Sequence, residues 1–214
     1  ALVSTLPCFH ITADGVSLSG FKVTGALDGQ TDAILLDDAD NCTISNNIAT
    51  NNYWGITLYN AKNNTLTGNV ANLNTAVGIG LSGADTTGNQ ISANTASNNA
   101  STGILLNTGV GGNNIIDGNT VSANGKNGVS ISSSNNTVTN NTITGNATTN
   151  TQGAGIALFD PVSGNTIQFN TITGNGGYGG IGSTSTGTND ISKNWWGSAT
   201  GPTNTNNPGG TGDV

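Results

Sequence analysis

The chain has 214 residues, of which 33% are hydrophobic and 7% charged, with a formal net charge of −7; without a regular repeat, that composition would suit a disordered segment. Its acidic residues are all Asp and its basic residues are four Lys with no Arg, so the surface lacks the basic patches that nucleic acid would need. No apolar run is long enough to span a membrane, and no Ser-His-Asp, Cys-His or zinc-ligand spacing is present.

A regular repeat is present. Residues 64–74 read Asn-x-apolar-x-x-Asn-x-apolar-x-x-Asn, and the positions equivalent to Leu66 are Leu18, Ile44, Ile91, Ile116, Val138, Ile167 and Ile191, at intervals of 22 to 29 residues. Three Asn columns keep that register. Three residues on stand Asn47, Asn69, Asn94, Asn119, Asn141, Asn170 and Asn194, with Phe21 in the first copy; two residues before, the column runs from Cys42 through Asn64 to Asn189; eight residues on, it runs from Asn52 to Asn175. An apolar column runs from Val23 to Trp196, and a second, usually preceded by Gly, runs from Ile34 to Ile181.

A period of this length marks a solenoid whose units bury their apolar faces against each other. Within the unit, apolar residues alternate with small polar ones, as in Ile56-Thr57-Leu58 and Thr142-Ile143-Thr144, which is the period of strands with one face inward. The expectation is an all-β, single-domain, right-handed parallel β-helix of about eight rungs over 1–200, a rod roughly 38 Å long. The Asn columns are read as buried ladders, stacked amide on amide, placed at corners that need the left-handed backbone region Asn tolerates.

In chain order, residues 1–25 form an atypical first rung. Cys8 precedes it and Cys42 takes an inward Asn position, so the two either form a disulfide at that end or stay separate buried thiols. Residues 26–40 carry Asp28, Asp32, Asp37, Asp38 and Asp40. Oxygen clusters of this kind hold hard cations, so Asp32, Asp37, Asp38 and Asp40 are a candidate calcium site. The spacing matches no EF-hand or nonapeptide calcium repeat, and a solvated acidic loop is the favoured reading. Tyr53, Trp54 and Tyr59, and further on Phe159, Phe169 and Tyr178, are the few exposed aromatic side chains, able either to stack on sugar rings or to pack under their own loops; of these, Tyr53, Trp54 and Tyr59, alongside Asp37, Asp38 and Asp40, are the candidate binding residues. From Thr95/Ser97 to Thr171/Thr173 one strand presents a hydroxyl array like those of ice-binding solenoids, broken at Ile48/Thr50 and Val70/Asn72; the preference of Thr for exposed strand positions accounts for it. Trp196 falls in the inward column, where it would plug the end of the core, and 201–214 reads as an irregular Gly/Pro/Asn-rich tail. No amphipathic capping helix closes either end, and open strand edges invite pairing with a second copy, end to end or laterally.

The units Asn-Asn-Thr-Leu-Thr-Gly-Asn, Asn-Thr-Ile-Thr-Gly-Asn and Gly-Ile-x-Leu resemble the repeats of the right-handed parallel β-helix superfamily, especially its NosD-like carbohydrate-binding and sugar-hydrolase group. The Asn-Trp-Trp-Gly at 194–197, followed by Gly201-Pro202, resembles a segment of its cell-surface members. The resemblance implies fold more specifically than function, because one scaffold carries unrelated activities. Pectate lyases and polygalacturonases are enzymatic relatives, but the lyases' Arg or Lys base has no match here, and the only His is His10. The expected function is a non-catalytic extracellular module, a stalk, surface-layer or filament subunit that contacts other copies or cell-surface glycans. The alternative is a polysaccharide lyase or glycoside hydrolase with its site near Asp37, Asp38 and Asp40. Absence of Met and of a charged-then-apolar opening segment is read as export with the signal removed, or as a segment of a longer protein; six Asn-x-Ser/Thr sequences suit that location but arise readily in a chain so rich in Asn and Thr.

Overall fold

The computed structural model describes residues 6–27, 31–203 and 208–212. Its strands follow one another as turns of a coil. The first turn is β1 (Phe9–Ile11), β2 (Ser17–Ser19) and β3 (Lys22–Val23); the second β4 (Asp32–Asp37), β5 (Thr43–Ser45) and β6 (Ile48–Thr50); the third β7 (Trp54–Tyr59), β8 (Thr65–Thr67) and β9 (Val70–Asn72). A fourth turn has β10 (Ile79–Ser82) and β11 (Gln90–Ser92), and a fifth β12 (Ile104–Leu106), β13 (Ile115–Asp117) and β14 (Thr120–Ser122). The sixth is β15 (Asn127–Ile131), β16 (Thr137–Thr139) and β17 (Thr142–Thr144); the seventh is β18 (Ala154–Leu158), β19 (Thr166–Gln168) and β20 (Thr171–Thr173), before β21 (Ile181–Ser183).

Every pairing is parallel and joins one turn to the next. Sheet A runs β1-β4-β7-β10-β12-β15-β18-β21, sheet B runs from β2 to β19, and sheet C is β3-β6-β9 continued by β14-β17-β20, bridged at Thr95. The result is a right-handed parallel β-helix of about seven turns, close to the eight expected, with no helix among the described residues. Ile44, Leu66, Ile91, Ile116 and Val138 of sheet B, Ala71, Val121 and Ile143 of sheet C and the paired Ile56/Leu58, Ile79/Leu81 and Ile104/Leu106 of sheet A are all fully buried. Each large one contributes about 1.5–3 kcal/mol of hydrophobic stabilisation. At the C-terminal end the register weakens: Ile191, in the inward column by sequence, is 42% exposed. Trp196 packs against the core there, and Gly212 returns beside it, donating its N–H to Gly201 O at 2.9 Å.

All three Asn columns are ladders. Asn119 is typical: its Nδ2 donates to Asn141 Oδ1 at 2.9 Å and to Ile91 O at 2.8 Å, while its Oδ1 accepts from Asn94 N at 2.9 Å and Asn94 Nδ2 at 3.1 Å. Asn47 through Asn170 of this column are buried, and Asn194 at the end is half-buried. The left-handed corner residue, however, is not the ladder Asn but its predecessor: Asn46, Leu73, Ala93, Asn98, Asn140 and Phe169 all have φ between 54° and 59°. Corner and ladder are thus two jobs held by adjacent residues, because the amide can point inward only from ordinary backbone just past the corner. The glycines before the sheet A column have a related cause. A Cβ on Gly103 would come within 2.7 Å of Asn124 Nδ2 and 2.8 Å of Gly128 O, so the third ladder's amide occupies the space a side chain would need.

Candidate functional site

The N-terminal half of sheet A presents a depression of about 660 Å³ on its outer face, within the size range of ligand sites. Along that face the residues between the inward pairs are Leu35, Thr57, Gly80, Leu105, Ser130, Ala157 and Gly182, aligned rung on rung. Small residues dominate this column, which leaves room for larger side chains from the strand ends to lie across it. Trp54, at the start of β7, uses that room: a Cβ on Gly80 would sit 2.4 Å from its Cζ3. Tyr53 flanks it, and Tyr59, at the far end of β7, is 45% exposed.

Two carboxylates and an imidazole complete the polar side. Asp37 Oδ2 pairs with His10 Nε2 at 2.9 Å, both half-exposed. The register that sets His10 beside Leu35 on neighbouring strands brings them together. At the other end of β4, Asp32 accepts a hydrogen bond from the Thr57 hydroxyl. Burial pushes the Asp32 carboxyl above the usual carboxylate range, with the Thr57 bond pulling the other way. Asp37 lies five steps along the same strand from Asp32, about 16 Å at roughly 3.3 Å per residue.

The structure therefore gathers Asp32, Asp37, Tyr53, Trp54 and Tyr59 in one depression and leaves Asp38 and Asp40 outside it. Asp38 is an exposed corner residue with φ 51°. Asp40 links the turns on either side of it: its Oδ1 accepts the Lys62 N–H at 2.6 Å from the following turn, and its own N–H donates to Asp14 Oδ1 at 2.8 Å on the preceding one. Of the candidate calcium set, Asp32 and Asp37 thus line the depression and Asp38 and Asp40 do not; among the described residues no group of three or more His, Cys, Asp or Glu side chains is placed to hold a metal ion. Asp28 lies outside the described residues. Cys8 and Cys42 are separate free thiols, the first exposed and the second buried; Cys42 keeps the ladder's backbone role, its N–H donating to Asn64 Oδ1 at 2.7 Å.

Sequence reasoning did not place His10, Thr57 or Gly80 in this site. Rung alignment carries the signal: once Ile34, Ile56 and Ile79 are stacked, Thr57 and Gly80 fall on one outward column, and extending it backward reaches His10.

The family model described as a right handed beta helix region matches residues 7–148 and 84–196. No curated protein matches the chain significantly in sequence. Among solved structures the chain is similar to the Dettilon tailspike protein, with 20% identity, a TM-score of 0.63 and coverage of 77% of this chain and 36% of that one. It is also similar to the periplasmic alginate epimerase AlgG, with 20% identity, TM-score 0.63 and coverage of 81% and 42%. A third likeness is to the A-module of the mannuronan C-5 epimerase AlgE6 of Azotobacter vinelandii, with 16% identity, TM-score 0.52 and coverage of 86% and 59%. The chain thus spans about a third to three-fifths of the length of these proteins, and at such identity the likeness is one of fold.

Proposed function

The chain belongs to the right-handed β-helix family, and from that premise we propose that it binds carbohydrate on the outer face of sheet A. The observation that carries this reading is the placing of Trp54, Tyr53 and Tyr59 in one open depression beside Asp32, Asp37 and His10. Aromatic faces carry partial negative charge and meet the slightly positive C–H faces of sugar rings, while carboxylates and imidazole exchange hydrogen bonds with hydroxyl groups. Structural neighbours that include a tailspike and two epimerases named for alginate and mannuronan point to the same ligand class.

The reading is one of binding without cleavage. Glycoside hydrolysis needs two carboxyl groups within about 5–10 Å of each other across the scissile bond, and Asp32 and Asp37 stand at opposite ends of a six-residue strand, each already engaged by a neighbour. An exported module suits this role, and the periplasmic epimerase among the neighbours supports that location. The role needs no second copy of the chain. Screening the purified protein on an array of neutral and acidic polysaccharides tests the proposal: retention on at least one glycan, with no new reducing or unsaturated ends released, is expected. Retention on none overturns it, and product release replaces binding by catalysis.

A further inference from the structure

A second aromatic cluster lies on the same face, near the other end of the rod. Phe159, just past β18, and Tyr178, just before β21, line a depression of about 330 Å³, and they are 38% and 59% exposed. Tyr178 sits on Gly182 much as Trp54 sits on Gly80: a Cβ at 182 would meet Tyr178 Cβ at 3.0 Å and Cδ2 at 3.1 Å. The glycine thus recurs in the outward column wherever an aromatic side chain folds over it.

The two clusters are in register. Tyr59 aligns with Ser82, and the pairing of the following strands carries that position through Asn107 and Ser132 to Phe159. That is four strand spacings, roughly 19 Å along the axis. The ground between is Leu105, then Ser130 and Ser132 of the β15 turn, with a third depression of about 390 Å³ lined by Ser132, Ser134 and Pro161 on the flank. Charge is distributed unevenly. The first depression holds Asp32 and Asp37, the second holds no ionised side chain, and neither is lined by Lys or Arg. Lys62, on the turn after β7, faces Asp85 at 3.7 Å. On a chain of net charge −7, a polyuronate would bring a carboxylate on every sugar to two depressions that neither Lys nor Arg lines.

Resting on the carbohydrate-binding reading above, we propose that Phe159 and Tyr178 form a second subsite and that the ligand is an uncharged polysaccharide lying along the rod, spanning both clusters. Two clusters on one rigid face convert the second contact into an intramolecular one, so a chain long enough to reach both binds far more tightly than one that reaches either alone.

Titration calorimetry with neutral cello- and manno-oligosaccharides, and with oligomannuronate of matched length, tests this. The neutral octasaccharide is expected to bind more than about tenfold tighter than the disaccharide. Tyr178→Ala and, separately, Phe159→Ala should remove that gain, bringing octasaccharide affinity down to that of the disaccharide, while leaving the circular dichroism spectrum unchanged. Octasaccharide affinity equal to wild type in both variants, or oligomannuronate bound as well as the neutral series, overturns the proposal and leaves the Trp54 groove standing. If neither series binds wild-type protein at any length, the groove reading itself fails and this proposal with it.

Discussion

Trp54 lies across Gly80 so closely that a Cβ on the glycine would fall 2.4 Å from Cζ3 and 2.8 Å from Cε3 of the indole. Two residues from adjacent turns thereby set one ring against the outer face of sheet A, in a depression where Thr57 and Leu35 supply the floor.

Gly80→Val is expected to push the indole out of this seat. Because the new side chain points outward and the inward pair Ile79/Leu81 is untouched, the β-sheet spectrum should be preserved while glycan affinity falls more than about tenfold, about 1.4 kcal/mol. Equal affinity by calorimetry would show that the ring's seat is irrelevant to binding.

The ladders set the stability of the scaffold. Asn119→Leu removes the acceptor of the Asn94 N–H and the donor to Ile91 O, both buried, at about 1–3 kcal/mol for each group left unsatisfied. A loss of about 3 kcal/mol in urea denaturation is expected; a midpoint unchanged from wild type contradicts the inward ladder.

Leu73 is a corner residue with φ 57° and a 54% exposed side chain. A branched side chain in that backbone region is strained, and Asn98 holds the same corner on the next turn. Leu73→Asn should therefore raise stability by about 1 kcal/mol. Thermal unfolding at neutral pH measures it, and a lowered melting temperature would go against the assignment of corner and ladder to adjacent residues.

Asp32 gives a pH dependence with a definite sign. Burial raises its folded-state carboxyl above the ordinary 3.8, so the protonated form is the one the fold favours. That contribution is fully present below the unfolded value near 3.8 and is lost as pH rises through the folded one. Asp32→Asn stays neutral and retains an oxygen to accept the Thr57 hydroxyl. It should be more stable than wild type at pH 7, with the advantage fading as pH falls through the folded-state value and gone below the unfolded value near 3.8. An advantage that grows on acidification would falsify the burial argument.

Much of the molecule is legible in the repeat. The spacing of Leu66, Ile91 and Ile116 gives the turns, and the three Asn columns give the ladders, because a buried stack tolerates little else at those positions. The corner assignment is less legible: Asn fills both the left-handed position and the ladder position, as at Asn140 and Asn141, and the φ of non-Asn corner residues such as Leu73, Ala93, Ala123, Phe169 and Lys193 shows that the two differ. The site was half legible. Tyr53, Trp54, Tyr59 and Asp37 stand out as departures from a Gly/Asn/Thr background, whereas Asp38 and Asp40 stand out equally and are turned away by the corner at Asp38. His10 joins through a pairing across 27 residues, which no local pattern encodes, and Phe159 and Tyr178 face the same side as Trp54 only once four turns are stacked.

The most direct measurement of the central claim is affinity electrophoresis of wild-type protein and Trp54→Ala through gels containing a neutral or an acidic polysaccharide. The account predicts retardation of wild type and free migration of the variant at equal thermal stability. Equal retardation of the two, or migration of wild type unchanged by every glycan, neutral or acidic, would contradict it.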